Sequence, residues 1–513
     1  MNTELKIPFG DNNKWITKHW NKLIIGTLSI AMFIFMNRYS SAQSFWLDEI
    51  YQIGFFESAT NIKELLVHYA KKGPNAPLFA VFGFLWYQIA PYGEEWLLLL
   101  PQIATSFGVY VLGIAASKKS KYIGIITALI ACTSARLILS AGYEMRAYSL
   151  LFLNVSIALY LFIKKYYEPT RKKTTIFAYG LSLSLIVYTH YIAILVCISL
   201  FIMDIILISN KKESWHDILS YVFGGILAAP WVVMVLIFKE WNVDSYWAEV
   251  PDFLSINRLF KFIGGSNDIL YLLFYICIFL VILSLLKNII NKKLNYEKNF
   301  LQSTWLFNIL FTIGVVYIYS SIINPDGSIF VNRYFFCIIP PLFILCATEL
   351  ELLCHKAAKW LNVKALSAHR IIIIMCVVIL LSFSYYCYEK VDYQTRQKHD
   401  PFREAANWIM SQDDIYNQDV AVTTTADDIV EKNYALLGFD MYYLRMQGNR
   451  DAANTINVFK YKDTPDELLA FNRIYCAEIH STDETILAFE NIIPNNYLKS
   501  NPDSNGVTVY TKN

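Results

Sequence analysis

Long apolar segments recur along most of this 513-residue chain. Segments of about 18 or more apolar residues are long enough to cross a hydrocarbon core about 30 Å thick. Their apolar character is continuous rather than alternating, which predicts helices and argues against a membrane barrel. The chain is 55% hydrophobic and only 17% charged, which departs from the composition of soluble domains. We therefore expect an α-helical polytopic membrane protein.

The apolar segments within residues 1–390 predict about eleven transmembrane helices. The spans are expected at 21–38, 95–117, 121–141, 146–163, 174–189, 191–210, 217–238, 268–287, 300–322, 334–352 and 369–388. A further apolar segment, 76–91, has only about 16 residues, so we expect it to lie along the surface or to re-enter. Residues 39–94 then form one long outer loop made of amphipathic helices.

Basic residues predict the orientation of these spans. With a cytoplasmic amino terminus, the inside segments hold 22 Lys and Arg residues. The outside segments, the carboxy-terminal region excluded, hold about 10 over a greater length. This count predicts a multi-pass protein of the cytoplasmic (inner) membrane. No cleavable signal peptide is expected, because Met1 to Asn21 is polar and the first span can itself direct insertion.

Residues 391–513 differ from the rest in charge and pattern. They contain 11 Lys/Arg and 19 Asp/Glu, a net charge of −8, against +10 for residues 1–390. Alternating segments predict strands at 418–424, 456–460, 473–479 and 506–511, with helices at 400–410, 426–438, 464–471 and 482–491. We expect a soluble, extracytoplasmic α/β domain. Of nine cysteines only Cys476 lies in it, which excludes an internal disulfide there.

The long outer loop opens on two adjacent acids, Asp48 and Glu49, within the apolar stretch QSFWLDEIYQIGFF (43–56). A carboxylate beside a bilayer is costly unless it is hydrated, paired or used. A hydrated loop pair among interfacial aromatic residues is the simplest explanation. A catalytic pair at the membrane boundary is the alternative that other residues favour.

Further polar residues lie at the outer ends of later predicted spans and could converge on one cavity. Arginine matches phosphate oxygens in a bidentate manner, although a helix-end ion pair, a snorkelling side chain or a core histidine would explain each residue singly. The loop 240–251 is either an interfacial aromatic belt or a platform for sugar rings. The candidates are Glu144 and Arg146 in AGYEMRAYSL, His190 in YTHY, Arg333 and Tyr334 in NRYFF, and Tyr246 and Trp247 in that loop.

The order of these motifs resembles the membrane glycosyltransferases of the GT-C fold that use polyprenyl-phosphate sugars. The nearest group contains the protein mannosyltransferase-like and lipid A aminoarabinose transferase-like enzymes. FWLDEIY resembles the acidic motif of the first loop, and YEMRAYSLL resembles the Glu-x-Arg-x-Tyr segment of a later span. In KKGPNAPLFAVFGFLW, Asn75-Ala76-Pro77-Leu78 stands where the family usually has His-Pro-Pro-Leu. SYWAEVP, VNRYFFCIIPPL and HDPFREAANWI are similar to further family stretches.

The resemblance implies an inverting transfer of a sugar from a polyprenyl-phosphate-linked donor to a hydroxyl of a lipid, glycan or protein acceptor. Membrane lipids and no nucleic acid would be the other partners. Asp48 would be the base, and Glu49 would orient Asp48 or the acceptor, or share a proton with Asp48. The donor phosphate and sugar would be bound by Glu144, Arg146, Arg333, Tyr334 and, more weakly, His190.

A divalent cation is the one cofactor that this interpretation leaves open. Mg²⁺ or Mn²⁺ could bind at Asp48 and Glu144, because hard oxygen ligands suit these ions. No third carboxylate demands it, and the reaction is also written without a metal.

Three other classes of protein compete with a glycosyltransferase. A lipid-linked sugar flippase or transporter usually has ionisable residues at mid-depth and repeated halves; here Asp204 and Arg136 lie toward span ends and no repeat is visible. An O-antigen polymerase or ligase usually has a large outer loop between late spans. A structural membrane protein with an outer binding domain is the third. The sugar, the acceptor, the isoprenoid length and the oligomeric state do not follow from the sequence.

Overall fold

A bundle of long apolar helices forms most of the molecule. The computed structural model describes residues 14–40, 44–73, 75–91, 93–168, 173–210, 215–238, 248–265, 267–290, 296–360, 365–396, 402–415, 417–424, 457–458, 465–478, 483–500 and 506–513. The helices of the first half are α1 Lys14–Arg38, α2 Leu47–Ser58, α3 Ile62–Lys72, α4 Leu78–Ile89, α5 Glu94–Ser117, α6 Lys121–Cys132, α7 Ala135–Leu137, α8 Tyr148–Tyr167, α9 Lys173–Val187 and α10 Ile194–Ser209. Those of the second half are α11 Leu219–Phe238, α12 Phe253–Ile263, α13 Asp268–Ile290, α14 Tyr296–Ile318, α15 Ile339–Trp360, α16 Ala365–Arg396, α17 Phe402–Met410, α18 Pro465–Leu468 and α19 Asp483–Glu490.

Within the described residues, nine helices are long and apolar enough to cross a membrane, or ten if one bent pair is a single span. The chain is therefore a multi-pass membrane protein, as predicted. The bent pair replaces the predicted straight span 121–141: α6 and α7 meet at 61°, where the Ser134 side chain caps a new helix by accepting the N–H of Leu137. The predicted span 174–189 falls on α9, whose 15 residues reach only about 22 Å.

The long loop between α1 and α5 folds into three short helices. Asn61 caps α3 by accepting the N–H of Glu64 at 3.0 Å, and α3 ends at Gly73. Helix α4 has 12 residues, about 18 Å, which agrees with the expectation that 76–91 does not span. Gly83 of α4 lies directly against the Phe56 ring of α2, so that the helices of the loop pack on one another.

The carboxy-terminal region contains one five-stranded sheet with the order β2-β1-β3-β5-β4. Its strands are β1 Val420–Thr424, β2 Asn457–Val458, β3 Arg473–Ala477, β4 Tyr497–Ser500 and β5 Val507–Lys512. β1 pairs in parallel with β2 and β3, and β5 pairs antiparallel with β3 and β4. Strand β4 was not predicted, because it is an edge strand with only Tyr497 buried. The helix predicted at 426–438 lies outside the described residues.

The carboxy-terminal region packs on the helices of the long loop. Phe402 and Ile409 of α17 and Val422 of β1 share one hydrophobic core with Phe45 and Ile50, which flank the acid pair. We call this side of the helix bundle the loop side. The predicted domain boundary between 390 and 391 falls inside α16, which continues to Arg396. The division into two domains remains a prediction.

Candidate active site

Asp48 lies in the first turn of α2 and binds two arginines from distant parts of the chain. Its Oδ2 accepts a hydrogen bond from Nη1 of Arg146 at 2.7 Å and lies 3.1 Å from Nη2 of Arg333. The Arg146 side chain is 6% exposed, whereas Asp48 and Arg333 are 31% and 24% exposed. One carboxylate therefore faces two cations at a place that solvent can reach.

Local structure explains how the two arginines reach Asp48. Arg146 belongs to the turn between the π-helical residues Ile138–Gly142 and α8, where its N–H donates to the carbonyl of Glu144 at 2.7 Å. Arg333 lies in the 3₁₀ helix Asn332–Ile338, directly before α15. Each arginine directly precedes a long apolar helix, at the end of that helix on the loop side. Their charges therefore lie at the loop-side end of the bundle, while the helices that follow them lie in its apolar interior.

The Trp46 ring lies close to both arginines. The guanidinium carbon of Arg146 lies 5.5 Å from the centre of the indole ring, and that of Arg333 lies 5.3 Å from it. An indole face attracts cations, so one ring stabilises two like charges held near each other. In the sequence, Trp46 is only one of several aromatic residues near the acid pair.

Glu49 has a different position from its neighbour. It is buried, its Oε1 accepts the N–H of Met145 at 2.6 Å, and its Oε2 accepts the N–H of Trp46 at 3.1 Å. Burial raises the pKa of Glu49 well above its usual range, and these two N–H groups oppose the rise. Glu49 thus connects the start of α2 to the turn that carries Arg146, and both of its oxygens accept backbone N–H groups.

Glu144 lies within the electrostatic reach of three arginines. Burial raises the pKa of Glu144, while Arg146, Arg333 and Arg136 oppose the rise. Its Oε2 is buried and has no hydrogen-bond partner among the described residues. Glu144 is thus available as an acceptor for a hydroxyl group beside the two arginines.

His190 and Tyr148 lie next to each other beside Arg146. The His190 ring lies 5.1 Å from the Tyr334 ring and 6.3 Å from the Tyr148 ring, and the Arg146 guanidinium lies 5.2 Å from the latter. Burial, together with the charge of Arg146, lowers the pKa of His190 to about 3. A neutral imidazole carries no charge to pair with a phosphate, but its one N–H can donate a hydrogen bond to a phosphate oxygen. Within the described residues, both ring nitrogens of His190 and the Tyr148 hydroxyl lack partners.

The structure thus brings Asp48, Arg146 and Arg333 into direct contact, with the other candidates of the described region arranged around them. Tyr246 and Trp247 lie outside the described residues. Tyr148, which was not among the candidates, is also buried in the site. Its place in the Glu-x-Arg-x-Tyr segment was the signal that would have identified it.

The donor set fits an anion better than a metal ion. Oδ2 of Asp48 is engaged by two guanidinium groups, whose charge repels a cation, and both oxygens of Glu49 accept backbone N–H groups. Among the described residues, no three His, Cys, Asp or Glu side chains are grouped so that they could hold a metal. We therefore assign no step to a metal ion.

Solved structures similar to this chain share its whole architecture. The undecaprenyl phosphate complex of ArnT from Cupriavidus metallidurans is 12% identical, with a TM-score of 0.54, and the match covers 96% of this chain and 98% of that one. The apo form of the same protein gives a TM-score of 0.56 over the same coverage. The oligosaccharyltransferase AglB from Archaeoglobus fulgidus, in complex with an inhibitory peptide and a dolichol-phosphate, is 11% identical, with a TM-score of 0.51 and coverage of 98% and 75%.

The comparisons extend to structure but not to sequence. No protein-family model matches the chain, and no curated protein matches its sequence. At 11–12% identity the likeness establishes the fold. The helical bundle, the long first loop and the carboxy-terminal sheet thus belong to one known architecture: the chain has the GT-C fold.

Proposed function

We propose that this protein transfers a sugar from a polyprenyl-phosphate-linked donor to an acceptor hydroxyl, with inversion, on the outer face of the cytoplasmic membrane. The observation that carries the proposal is the contact of Asp48 with both Arg146 and Arg333. An acid beside two cations, at the end of apolar helices, suits a reaction whose leaving group is a lipid phosphate.

The arginines would bind the donor phosphate. Two guanidinium groups face a single carboxylate, so the cluster has positive charge in excess, and arginine pairs well with phosphate oxygens. The unpartnered Tyr148 hydroxyl would then donate to a phosphate oxygen. Oε2 of Glu144, which is also unpartnered, would accept a hydrogen bond from a sugar hydroxyl. His190 would donate one hydrogen bond in its neutral form.

Binding of the phosphate would also free the base. Without donor, Oδ2 of Asp48 carries hydrogen bonds from both arginines, which weakens it as a proton acceptor. Phosphate oxygens offer the same arginines a better partner, because two oxygens can accept from one guanidinium. Asp48 would thus become a stronger base only when a donor is bound.

The chemical step is then a single displacement. The acceptor hydroxyl oxygen forms a bond to the anomeric carbon, the bond from that carbon to the phosphate oxygen breaks, and its electron pair leaves with the phosphate. The hydroxyl proton passes to Asp48, and attack from the opposite face inverts the configuration. General-base assistance contributes about 10²–10⁴-fold, and the arginines stabilise the charge that develops on the phosphate.

The isoprenoid tail has a suitable place in the bundle. A cavity of about 400 Å³ lies between α9, α10 and α11, and its lining is apolar. Val187 and Ile194 of this lining flank His190 in the chain, so the cavity extends into the bundle from the segment that carries His190. An apolar chain in this cavity would leave its phosphate at the loop side.

The basic-residue count supports an outer location for the loop side, as argued from the sequence. Lipid, glycan and protein hydroxyls all fit as acceptors. A flippase or transporter is the alternative, but the charges grouped around Asp48 lie at one end of the helices instead of along a path between both sides.

The experiment is complementation of a deletion strain. Envelope glycans and lipids are compared by mass spectrometry in cells that express the wild-type protein, Asp48→Asn or Asp326→Asn at equal membrane levels. Asp326 is an exposed acid in the turn shortly before Arg333, which makes it a matched control. We expect a sugar-bearing species that wild type and Asp326→Asn restore and Asp48→Asn does not. Restoration by Asp48→Asn would overturn the proposal.

A further inference from the structure

An ion pair connects the carboxy-terminal region to the segment that precedes Asp48 in the chain. Nη1 of Arg403, in the first turn of α17, binds Oε2 of Glu94. The other oxygen of Glu94 accepts the backbone N–H of Phe45 at 3.2 Å. Phe45 lies three residues before Asp48, so one carboxylate joins the carboxy-terminal region to the acid segment.

Burial makes this connection stiff. Glu94 is only 4% exposed, and a buried carboxylate is stable only when its oxygens are paired. Phe45 is 2% exposed and shares a core with Phe402 and Ile409 of α17. The polar contact thus lies beside an apolar contact between the same two segments.

A second carboxylate continues the connection. The N–H of Phe45 donates to Glu94, and the N–H of the next residue, Trp46, donates to Glu49 at 3.1 Å. Two successive backbone groups are therefore held by two buried glutamates. Glu49 in turn accepts the N–H of Met145, next to Arg146. The connection thus runs from α17 to both members of the Asp48–Arg146 pair.

We propose that Glu94 and Arg403 are positioning residues, through which the carboxy-terminal region fixes the segment 44–48 and thereby the place of Asp48 relative to the arginines. The catalytic consequence rests on the proposed function, because it requires Asp48 to be the reactive acid. The positioning itself does not depend on the reaction. It assigns a role to the carboxy-terminal region that the sequence left open.

The test combines hydrogen–deuterium exchange with sugar transfer, using the full chain in lipid nanodiscs. Glu94→Gln keeps an acceptor for the Phe45 N–H but removes the charge, and Arg403→Gln removes the other partner. We expect both variants to speed amide exchange in residues 44–50, and the double variant to add little to either, because the two groups act as one pair. Arg403→Lys keeps the charge and should restore most of the protection.

Transfer by the same variants should fall about 10- to 10²-fold, since displacement of a reacting group by about 1 Å can cost that much. Arg473→Gln is the control, because Arg473 forms an ion pair with Asp414 at 2.5 Å in the same region but away from the acid segment. Unchanged exchange at 44–50 in folded Glu94→Gln and Arg403→Gln, or equal loosening in Arg473→Gln, would overturn the inference. Faster exchange at 44–50 with an active Asp48→Asn would instead leave the positioning intact and contradict the proposed function.

Discussion

Two ionic clusters of this protein show how differently charges are used in one helical bundle. Asp48 binds two arginines at the loop side, and the exposed fractions of Asp48 and Arg333 are 31% and 24%. Lys165 and Asp204 form a pair at 2.6 Å between α8 and α10, and their side chains are 6% and 0% exposed. The first cluster has unequal charges and can be reached, whereas the second is balanced and closed.

Further polar groups surround each of the two clusters. Oδ2 of Asp204 also accepts the Tyr221 hydroxyl at 2.6 Å, and that hydroxyl lies 3.0 Å from the hydroxyl of Tyr179. Around Asp48, polar atoms of Glu144 and His190 lack partners within the described residues. The clusters differ in exposure, because solvent can reach Asp48 and Arg333 but not Asp204. A closed, balanced pair fixes helices, whereas an open cluster with excess charge can accept a ligand.

The largest expected effect is on the rate of transfer. Asp48→Asn should lower kcat by about 10²–10⁴-fold, because the amide cannot accept the hydroxyl proton. The thermal midpoint should fall less than in a closed pair, since Asp48 and Arg333 are partly exposed and the amide oxygen can still accept hydrogen bonds from both arginines. Purified protein in nanodiscs, assayed with a polyprenyl-phosphate sugar, gives both values. If Asp48→Asn instead lost stability and kept its turnover per folded molecule, Asp48 would have a structural role like that of the closed pair.

A substitution in the closed cluster of Lys165 and Asp204 should lower stability and leave turnover unchanged. Asp204→Asn should lower the free energy of unfolding by about 3–5 kcal/mol, because it leaves the Lys165 charge buried and unpaired. Removing both charges with Lys165→Met and Asp204→Leu should restore most of that stability. Thermal unfolding in detergent measures the change. Turnover per folded molecule should stay near that of the wild type, and a selective loss of turnover would instead make the pair part of the mechanism.

Donor binding should depend on both arginines of the open cluster. Arg146→Gln and Arg333→Gln should each raise the KM for donor about 10- to 100-fold, the value of a hydrogen bond to a charged group. Arg258→Gln is the control, because its ion pair with Asp252 is more than half exposed and such pairs contribute little. Titration with polyprenyl phosphate alone checks the interpretation. An unchanged affinity for this lipid in both arginine variants would place the phosphate elsewhere.

The smallest expected effect concerns pH. Burial lowers the pKa of His190 to about 3 in the folded protein, against about 6.5 in the unfolded chain. Between these values the unfolded chain binds more protons, so the wild type loses stability as the pH falls from about 6.5 toward 3. His190→Gln should therefore reduce the drop in thermal midpoint between pH 7 and pH 5. The pH–rate profile above pH 6 should be the same in both proteins; an inflection lost in the variant would show that His190 titrates during turnover.

Much of the fold could be predicted from local pattern. In a membrane, the backbone N–H and C=O groups of a continuous apolar segment must be paired within the protein, and a helix pairs its own. The alternating segments after 391 predicted four of the five strands among the described residues. The break at Thr133 and Ser134 was missed, since the apolar pattern continues through it. Counting spans also placed Asp48, Glu144, Arg146, His190 and Arg333 on one side, because the direction of the chain reverses with each span.

What the sequence determined by itself was therefore the kind of molecule and the side on which its polar residues gather. Only the tertiary structure decided which of them touch: it separated Asp48, bound to two arginines, from the adjacent Glu49, bound to backbone N–H groups, and it placed Glu94 and Arg403 together. The physical reason is that apolar burial is a property of each segment, whereas an ion pair depends on the approach of side chains whose separation along the chain carries no local signal.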